Sequence, residues 1–503
     1  MGKIKPYIQI EAIPKSVNFL LNIVAYLLVA LILWFAFEAF ITHFGQRKYK
    51  QDYAVMIDAG SVHTSLYVYK YPSDKPYNSS VGNVEEIFSC EVSATKGISS
   101  VPIDDLESYI FNSDCVKKMY EETDLLPGKA LFIIGGTAGL RGLEKAKAKE
   151  IIFKLQQILK TNAADGTARI LSSAEEGVYG WLSVNYLING INFNEATQVG
   201  SLDWGGGSSE ITFASQKLGN RKLNLFNTTF KIFTRSDQCF GQSEAVRRYY
   251  ALLLQDTFDQ DTGPIEAPCQ PLDNNFTMSR EDIFGSECTN LKNGSFRDYS
   301  LKQNNFEFYG SSNHSKCRQV IKRLFDSREC SSTFSKHCFS PLNLDKKPDR
   351  FFAFSTYFYT GILLNLNPDL HIHQSKQKSA ELCESAYDNH PMREKGEEFV
   401  QNECFRGVFM NVLIEHGYGF NTNQTTIKIV DKVQGQNVGW TLGYALDQLQ
   451  KVKIVPLKLN DRALAITLPL CFIGLMILFL ICVSSDRIFY FFFERRESRY
   501  EGI

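Results

Sequence analysis

Two segments of the chain place a carboxylate, glycines and a hydroxyl where they could grip phosphate. One is Asp58-Ala59-Gly60-Ser61; the other is Asp203-Trp204-Gly205-Gly206-Gly207-Ser208. Glycines let a backbone approach a ligand and turn consecutive N–H groups toward an anion. A serine hydroxyl adds a donor. An Asp at a strand end can hold a divalent cation, directly or through water. Two such loops facing each other would hold a polyphosphate from both sides. One Gly-rich turn would be weak, since such turns are common; the matched pair carries the argument. Between the two lies GGTAGLR, with Thr137, Ala138 and Arg141. An Arg fork can span phosphate oxygens and offset charge in a transition state. Glu175 and Glu176 precede an aromatic run. One of them could be a general base for water, although paired acids at a helix start also serve as plain dipole partners. His63 is a lone histidine in a strand-like turn and fits an ordinary hydrogen-bonding role equally well. No G-x-S-x-G elbow and no G-x-x-x-x-G-K-[ST] loop occurs, so serine-hydrolase and P-loop chemistries lack their motifs.

The elements that must position these residues follow from periodicity. Tyr53–Lys70 and Val199–Phe213 each read as an apolar run ending in Asp, a small-residue turn, then an alternating run. Two copies about 145 residues apart point to a duplicated lobe rather than a short-period solenoid. Ala130–Ile134 reads as a buried strand, Leu143–Leu159 as an amphipathic helix and Ala168–Leu171 as a short strand. Ser173 and Glu176 have capping-box spacing at the next helix. Alternating strands and helices predict an α/β class. Residues 260–345, rich in Cys, Asn and Ser, read as an irregular, disulfide-pinned insertion.

Of the 503 residues, 44% are hydrophobic and 22% charged, with 54 Lys and Arg against 55 Asp and Glu. That balance leaves no basic footprint for nucleic acid. Ser16–Phe37 carries no charge, and 22 helical residues reach about 33 Å, enough for a bilayer core. Ala463–Val483 is a second uncharged run of 21 residues. Two transmembrane helices are therefore expected. The charges beside the first span tie, with Lys3, Lys5 and Lys15 before it and Arg47, Lys48 and Lys50 after it. Cysteines decide the orientation. Ten of the 12 lie between the spans: Cys90, Cys115, Cys239, Cys269, Cys288, Cys317, Cys330, Cys338, Cys383 and Cys404. Their even number and wide spacing, without a C-x-x-C pair, point to five disulfides in an oxidising compartment. Six Asn-x-Ser/Thr sequons, at Asn78, Asn227, Asn275, Asn293, Asn313 and Asn423, share that segment. The expected layout is a cytoplasmic N-terminus over 1–15, a span over 16–37 and a first lobe over 45–172. A second lobe over 173–436 carries the insertion, and 437–458 returns to the first lobe. A span over 463–483 and a cytoplasmic tail over 484–503 complete it. Two spans leave room for a homo-oligomer, though no G-x-x-x-G marks a face.

Taken in order, six segments resemble the ecto-nucleoside triphosphate diphosphohydrolases, or apyrases, over nearly the whole chain. They are DAGSVHT (Asp58–Thr64), GGTAGLR (Gly135–Arg141), SAEEGVYGWLSVNY (Ser173–Tyr186), LDWGGGSSEI (Leu202–Ile211), AFSTYFY (Ala353–Tyr359) and GWTLGY (Gly439–Tyr444). The first is most similar to cell-surface members. The resemblance implies two ribonuclease-H-like lobes of the actin, hexokinase and heat-shock-chaperone ATPase superfamily. It implies removal of terminal phosphate from ATP, ADP, UTP and UDP with Ca²⁺ or Mg²⁺ and water. By position, Glu176 matches the general base, and Asp58 and Asp203 match the residues that hold the metal's water shell. Ser61, Val62, His63, Thr137, Ala138, Arg141, Gly205, Gly206 and Gly207 match phosphate positions. Ser208 and Glu210 match residues beside the nucleophilic water, and Tyr359 matches a base-stacking aromatic. The implied disulfides are Cys90–Cys115, Cys239–Cys288, Cys269–Cys317, Cys330–Cys338 and Cys383–Cys404. Glu210 stands where the family usually has Gln, Trp204 replaces a usual Leu, and Val62 a usual Ser. A base-stacking Arg has no obvious counterpart; Phe399 is near its place, with Arg393 and Lys395 upstream. The implied location is a cell membrane with an extracellular catalytic domain and both termini cytoplasmic. A Golgi lumenal nucleoside diphosphatase and a catalytically silent receptor ectodomain on the same fold are the alternatives.

Overall fold

The computed structural model describes residues 51–450, apart from 73–82, 94–96, 129, 164, 190–196, 226–227, 259–262, 293, 343–346, 367, 385–401 and 421–424. The expected spans, both tails, Arg393, Lys395 and Phe399 lie outside the described residues, as do the sequons at Asn78, Asn227, Asn293 and Asn423. Among the described residues, no helix is long and apolar enough to cross a membrane.

The first lobe is a five-stranded sheet. Its strands are β1 (Gln51–Ala59), β2 (Thr64–Pro72), β3 (Glu85–Ser93), β4 (Leu131–Gly136) and β5 (Asp165–Ile170), in the order β3-β2-β1-β4-β5. The first three are antiparallel neighbours, whereas β4 and β5 run parallel to β1. The second lobe repeats this plan. Its β6 (Gly200–Trp204) pairs antiparallel with β7 (Ser208–Ala214), and β7 with β9 (Thr228–Gln238); β8 (Arg221–Leu225) adds an outer edge.

Residues 265–310 interrupt the second lobe. They build a small sheet of β10 (Ile265–Ala267), β11 (Asn275–Ser279) and β12 (Asn305–Gly310). This corrects the expectation of an irregular insertion. Asn-Phe-Glu-Phe-Tyr-Gly in β12 alternates exposed and buried residues, and its Phe306 and Phe308 face the core. The cysteine and Ser/Asn content masked that period. The second sheet then resumes with β13 (Arg350–Ser355) and β14 (Thr426–Ile429), parallel to β6 in the order β14-β13-β6-β7-β9-β8. A short hairpin follows, of β15 (Lys432–Val433) and β16 (Gln436–Asn437). Both lobes thus share one strand order, antiparallel and then parallel.

Two helices fill the space between the sheets. Ser173–Asn189 packs on β7 and β9, and Trp440–Leu449 packs on β1 and β2. Tyr69, Ile133, Trp181, Leu182, Phe230, Leu442 and Leu446 belong to one buried cluster that spans both lobes. The helices touch closely at Gly443, where any Cβ would collide with the Tyr179 carbonyl. The five disulfides pair Cys90 with Cys115, Cys239 with Cys288, Cys269 with Cys317, Cys330 with Cys338, and Cys383 with Cys404. These are the pairs the resemblance implies. Arg248, 1% exposed, pins the insertion through the carbonyls of Cys288, Lys336 and His337, each at 2.8 Å. Asn275 and Asn313 are exposed, and Asn313 also caps a helix by accepting from Lys316 N–H at 2.9 Å.

Candidate active site

The two β-turns that carry the small residues meet face to face. A Cβ added at Gly206 would lie 2.5 Å from Ser61 Oγ and 3.2 Å from Val62 Cγ2; one added at Gly207 would lie 2.7 Å from Ala138 Cβ. The Ala138 Cβ is fixed to its backbone, so glycine is required at 207 by close approach. The carbonyls of Gly205, Gly206 and Gly207 accept from Gln242 (2.9 Å), Ser243 (2.9 Å) and Cys239 (2.8 Å). In a planar trans peptide the next N–H points the opposite way. The amides of Gly206, Gly207 and Ser208 are thus turned away from that segment, in the arrangement a phosphate needs. Trp204 is packing: its indole stacks on Phe409 and donates to the Phe240 carbonyl at 3.2 Å. Burial holds the His63 imidazole below its usual pKa, against the pull of Glu91.

The helix Ser173–Asn189 brings its first turn to the same place. The expected capping box at Ser173 and Glu176 lies one residue earlier. Ser172 N–H and Oγ donate to Glu175 Oε2 at 2.8 and 2.7 Å, and Ser172 Oγ accepts from Glu175 N–H at 3.3 Å. Arg169 also pairs with Glu175. Glu175 is consumed by the helix start, which leaves Glu176 for chemistry. Arg141 Nη1 donates to Glu176 Oε2 at 2.7 Å and to the Leu171 carbonyl at 3.1 Å; Nη2 donates to Ser208 Oγ at 3.2 Å. One guanidinium therefore fixes the carboxylate of one element against the hydroxyl of another. Thr137, buried, and Ala138 start the short turn that ends in Arg141.

Strand register adds a carboxylate row. Asp203 on β6 pairs directly with Glu210 on β7, and Glu210 with Ser236 on β9. Ser236 Oγ donates to Glu210 Oε1 at 2.6 Å. Asp58, at the end of β1, faces this row from the first lobe. Its strand neighbour Gly135 has no side chain, which leaves room for the Trp440 ring beside it. Burial and then the charge of Glu176 raise the Asp58 carboxyl to about 7, eased by the Trp440 indole and Arg141. Burial and Glu176 raise Asp203 to about 8, against the Ser355 hydroxyl. Glu210 is held well above the usual carboxylate range, first by burial, then by Glu176 and Asp203. Ser355 has φ of 60°, a left-handed conformation that a non-glycine residue adopts at a cost. It ends β13 and starts the helix Thr356–Leu363, which presents Tyr359 with 64% of its surface exposed.

Buried acids that repel one another fit a cation. Asp58 Oδ1 is buried without a hydrogen-bond partner. The donors are all oxygen, as a hard dication such as Ca²⁺ or Mg²⁺ prefers. Among the described residues, no three of these carboxylate oxygens fall within 4.8 Å of one another. They suit a cation that keeps its own water. Cys317, Cys383 and Cys404 do bring three sulfurs that close. All three are in disulfides and offer no thiolate.

Four contributors were not singled out for this site in the sequence: Ser236, Ser355, Tyr357 and Trp440. Tyr357 is fully buried, faces Asp203 and Glu210, and its hydroxyl has no hydrogen-bond partner. Tyr357, Ser355 and Trp440 fall inside the motif segments; only Ser236 carried no signal, since register alone brings it in.

The chain is similar to known nucleoside triphosphate diphosphohydrolases. Ectonucleoside triphosphate diphosphohydrolase 1 of Bos taurus is 30% identical over 439 residues, which is 80% of this chain and 81% of that protein. Ectonucleoside triphosphate diphosphohydrolase 3 of Mus musculus is 29% identical over 427 residues, 80% of this chain and 78% of that protein. A crystal structure of nucleoside triphosphate hydrolases from Neospora caninum aligns with a TM-score of 0.57 at 13% identity, over 84% of this chain and 97% of that one, a likeness of fold. The pattern of the GDA1/CD39 (nucleoside phosphatase) family matches residues 45–464. That span takes in both sheets and every residue of the site, and the chain belongs to the GDA1/CD39 (nucleoside phosphatase) family.

Proposed function

We propose that this chain hydrolyses nucleoside tri- and diphosphates, ATP, ADP, UTP and UDP among them, to the monophosphate and phosphate. The observation that carries this reading is the Arg141 bridge between Glu176 and Ser208, set beside two glycine turns that face each other. Water attacks the terminal phosphorus, and the bond to the bridging oxygen breaks. Glu176 takes the proton from that water; Ser208 and Glu210 orient it. The turns at Ser61–His63 and Gly205–Gly207, with Thr137 and Ala138, cradle the phosphates. Arg141 holds Glu176 in place and offsets developing charge. The transition state is loose, so positioning and charge supply most of the rate. Asp58 and Asp203 would hold Ca²⁺ or Mg²⁺ through water, and the cation would offset the charge of the phosphate oxygens. Tyr359 takes the base.

The catalytic part stands outside a cell membrane, with spans over 16–37 and 463–483 and both termini cytoplasmic. Five disulfides in this segment support an oxidising compartment. Phosphate release by intact cells given ATP or ADP, with Ca²⁺, Mg²⁺ or EDTA, tests the reading. Metal-dependent release that Glu176→Gln abolishes is the expected result. Release only after permeabilisation would move the enzyme to an internal lumen. No release from folded protein would leave a silent ectodomain.

A further inference from the structure

In a nucleotide the sugar lies between phosphate and base by covalent structure. The phosphate turns and Tyr359 mark the two ends, and Glu91 lies within electrostatic reach of both. It sits on β3 in one sheet row with the phosphate side of the cleft: Asp58 pairs with Ser65, and Ser65 with Glu91. Its charge is felt by His63 at one end and by Tyr359 at the other. Asp431, from the second lobe, acts on the same Tyr359 ring.

The β15–β16 hairpin holds this pair in place. Val438 N–H donates to the Asp431 carbonyl at 3.2 Å and closes the base of the hairpin. The other end straps onto β3. Glu86 N–H donates to Gln436 Oε1 at 2.8 Å, Asn437 N–H donates to Glu86 Oε2 at 3.1 Å, and Asn437 Nδ2 donates to Ser89 Oγ at 3.0 Å. Ser89 and Glu91 are two apart on a strand and share its face. The strap therefore docks on the face that carries Glu91, with Asp431 at its root. Neither carboxylate takes a hydrogen bond or an ion pair from a described residue. Among the described residues both are unengaged acceptors, within electrostatic reach of an exposed aromatic ring.

We propose that Glu91 and Asp431 are the sugar-recognising pair, accepting hydrogen bonds from the vicinal hydroxyls of a ribonucleotide whose base rests on Tyr359. The inference rests on the nucleotidase reading and adds selectivity for ribose to it. A carboxylate is an acceptor only, so it favours a diol and gains nothing from a sugar without one.

The test uses the full chain with ATP, 2′,3′-dideoxyATP and UTP, comparing the unmodified protein with Glu91→Gln and Asp431→Asn. A hydrogen bond to a charged group corresponds to about a ten- to hundred-fold change in kcat/KM. The unmodified protein is expected to prefer ATP to 2′,3′-dideoxyATP by about that factor. Each variant is expected to lose most of that preference, with ATP and UTP falling together and 2′,3′-dideoxyATP almost unchanged. Equal cleavage of ATP and 2′,3′-dideoxyATP by the unmodified protein would overturn the inference and leave the nucleotidase reading intact. Equal losses on both substrates in the variants would mark a structural role and overturn it too. A loss on ATP but not on UTP would assign the carboxylates to the base. No cleavage of any nucleotide by the folded protein would remove the parent reading and this one with it.

Discussion

Replacing Asp58 by Asn should remove a defined pH dependence from the stability of the metal-free protein. Asp58 Oδ1 is buried without a hydrogen-bond partner, and the carboxyl is raised from 3.8 to about 7. The folded state keeps that proton where the unfolded chain has lost it. Its contribution to stability is therefore complete below the unfolded value and is lost as pH rises through the folded one. Three pKa units at ~1.4 kcal/mol each make about 4 kcal/mol, spread between about pH 4 and pH 7. Asn carries no charge at any of these values, so its slope is absent. Asp203, raised to about 8 mainly by burial and Glu176 and less by Asp58, remains in both proteins and supplies a largely shared slope. The assay is thermal melting in EDTA at several values from pH 4.5 to 7.5, followed by tryptophan fluorescence. The unmodified protein should lose roughly 4–8 °C more than Asp58→Asn across that range, the usual shift per kcal/mol scaled to a domain of this size. Saturating Ca²⁺ should erase most of the difference in slope, because the cation favours the carboxylate. Parallel curves in EDTA would refute the reasoning, since they would mean that Asp58 is charged in the folded protein or that its neighbours do not repel it.

Arg141→Lys should lower kcat by about 10²-fold, because one ammonium cannot bridge Glu176 and Ser208 as the fork does; steady-state phosphate release measures this. Gly207→Ala should lower kcat/KM by roughly tenfold or more, as its Cβ would meet the fixed Ala138 Cβ at 2.7 Å and spread the turns. Arg248→Met should destabilise by about 3 kcal/mol or more, since three carbonyls lose their donor, and melting should show it with kcat nearly intact.

The duplicated strand–turn–strand units were legible in the sequence because period-two alternation flanks each small-residue turn. The Asp at each first strand's end follows from the same pattern. The helix bearing Glu176 was also legible, but its start was read one residue late. Ser172 and Ser173 are chemically equal candidates, and only geometry shows that Glu175 closes the box. That difference decides which acid is free to act. The row Asp203–Glu210–Ser236 was not legible, since pairing across β6, β7 and β9 depends on register, which no local pattern states. Glu91 and Asp431 are 340 residues apart along the chain, and the Glu86–Asn437 strap that relates them leaves no mark in either segment. The small sheet at 265–310 was hidden because its strands are short and cysteine-rich turns interrupt them.

The central claim is that water, activated by Glu176, attacks the terminal phosphorus of a nucleotide held between the two lobes. Hydrolysis of ATP in H₂¹⁸O, read by mass spectrometry of the products, tests it most directly. The account predicts one ¹⁸O in each phosphate released in a single cleavage and none in the monophosphate product, with release abolished by EDTA and by Glu176→Gln. Label in the nucleotide product, or full activity in Glu176→Gln, would contradict it.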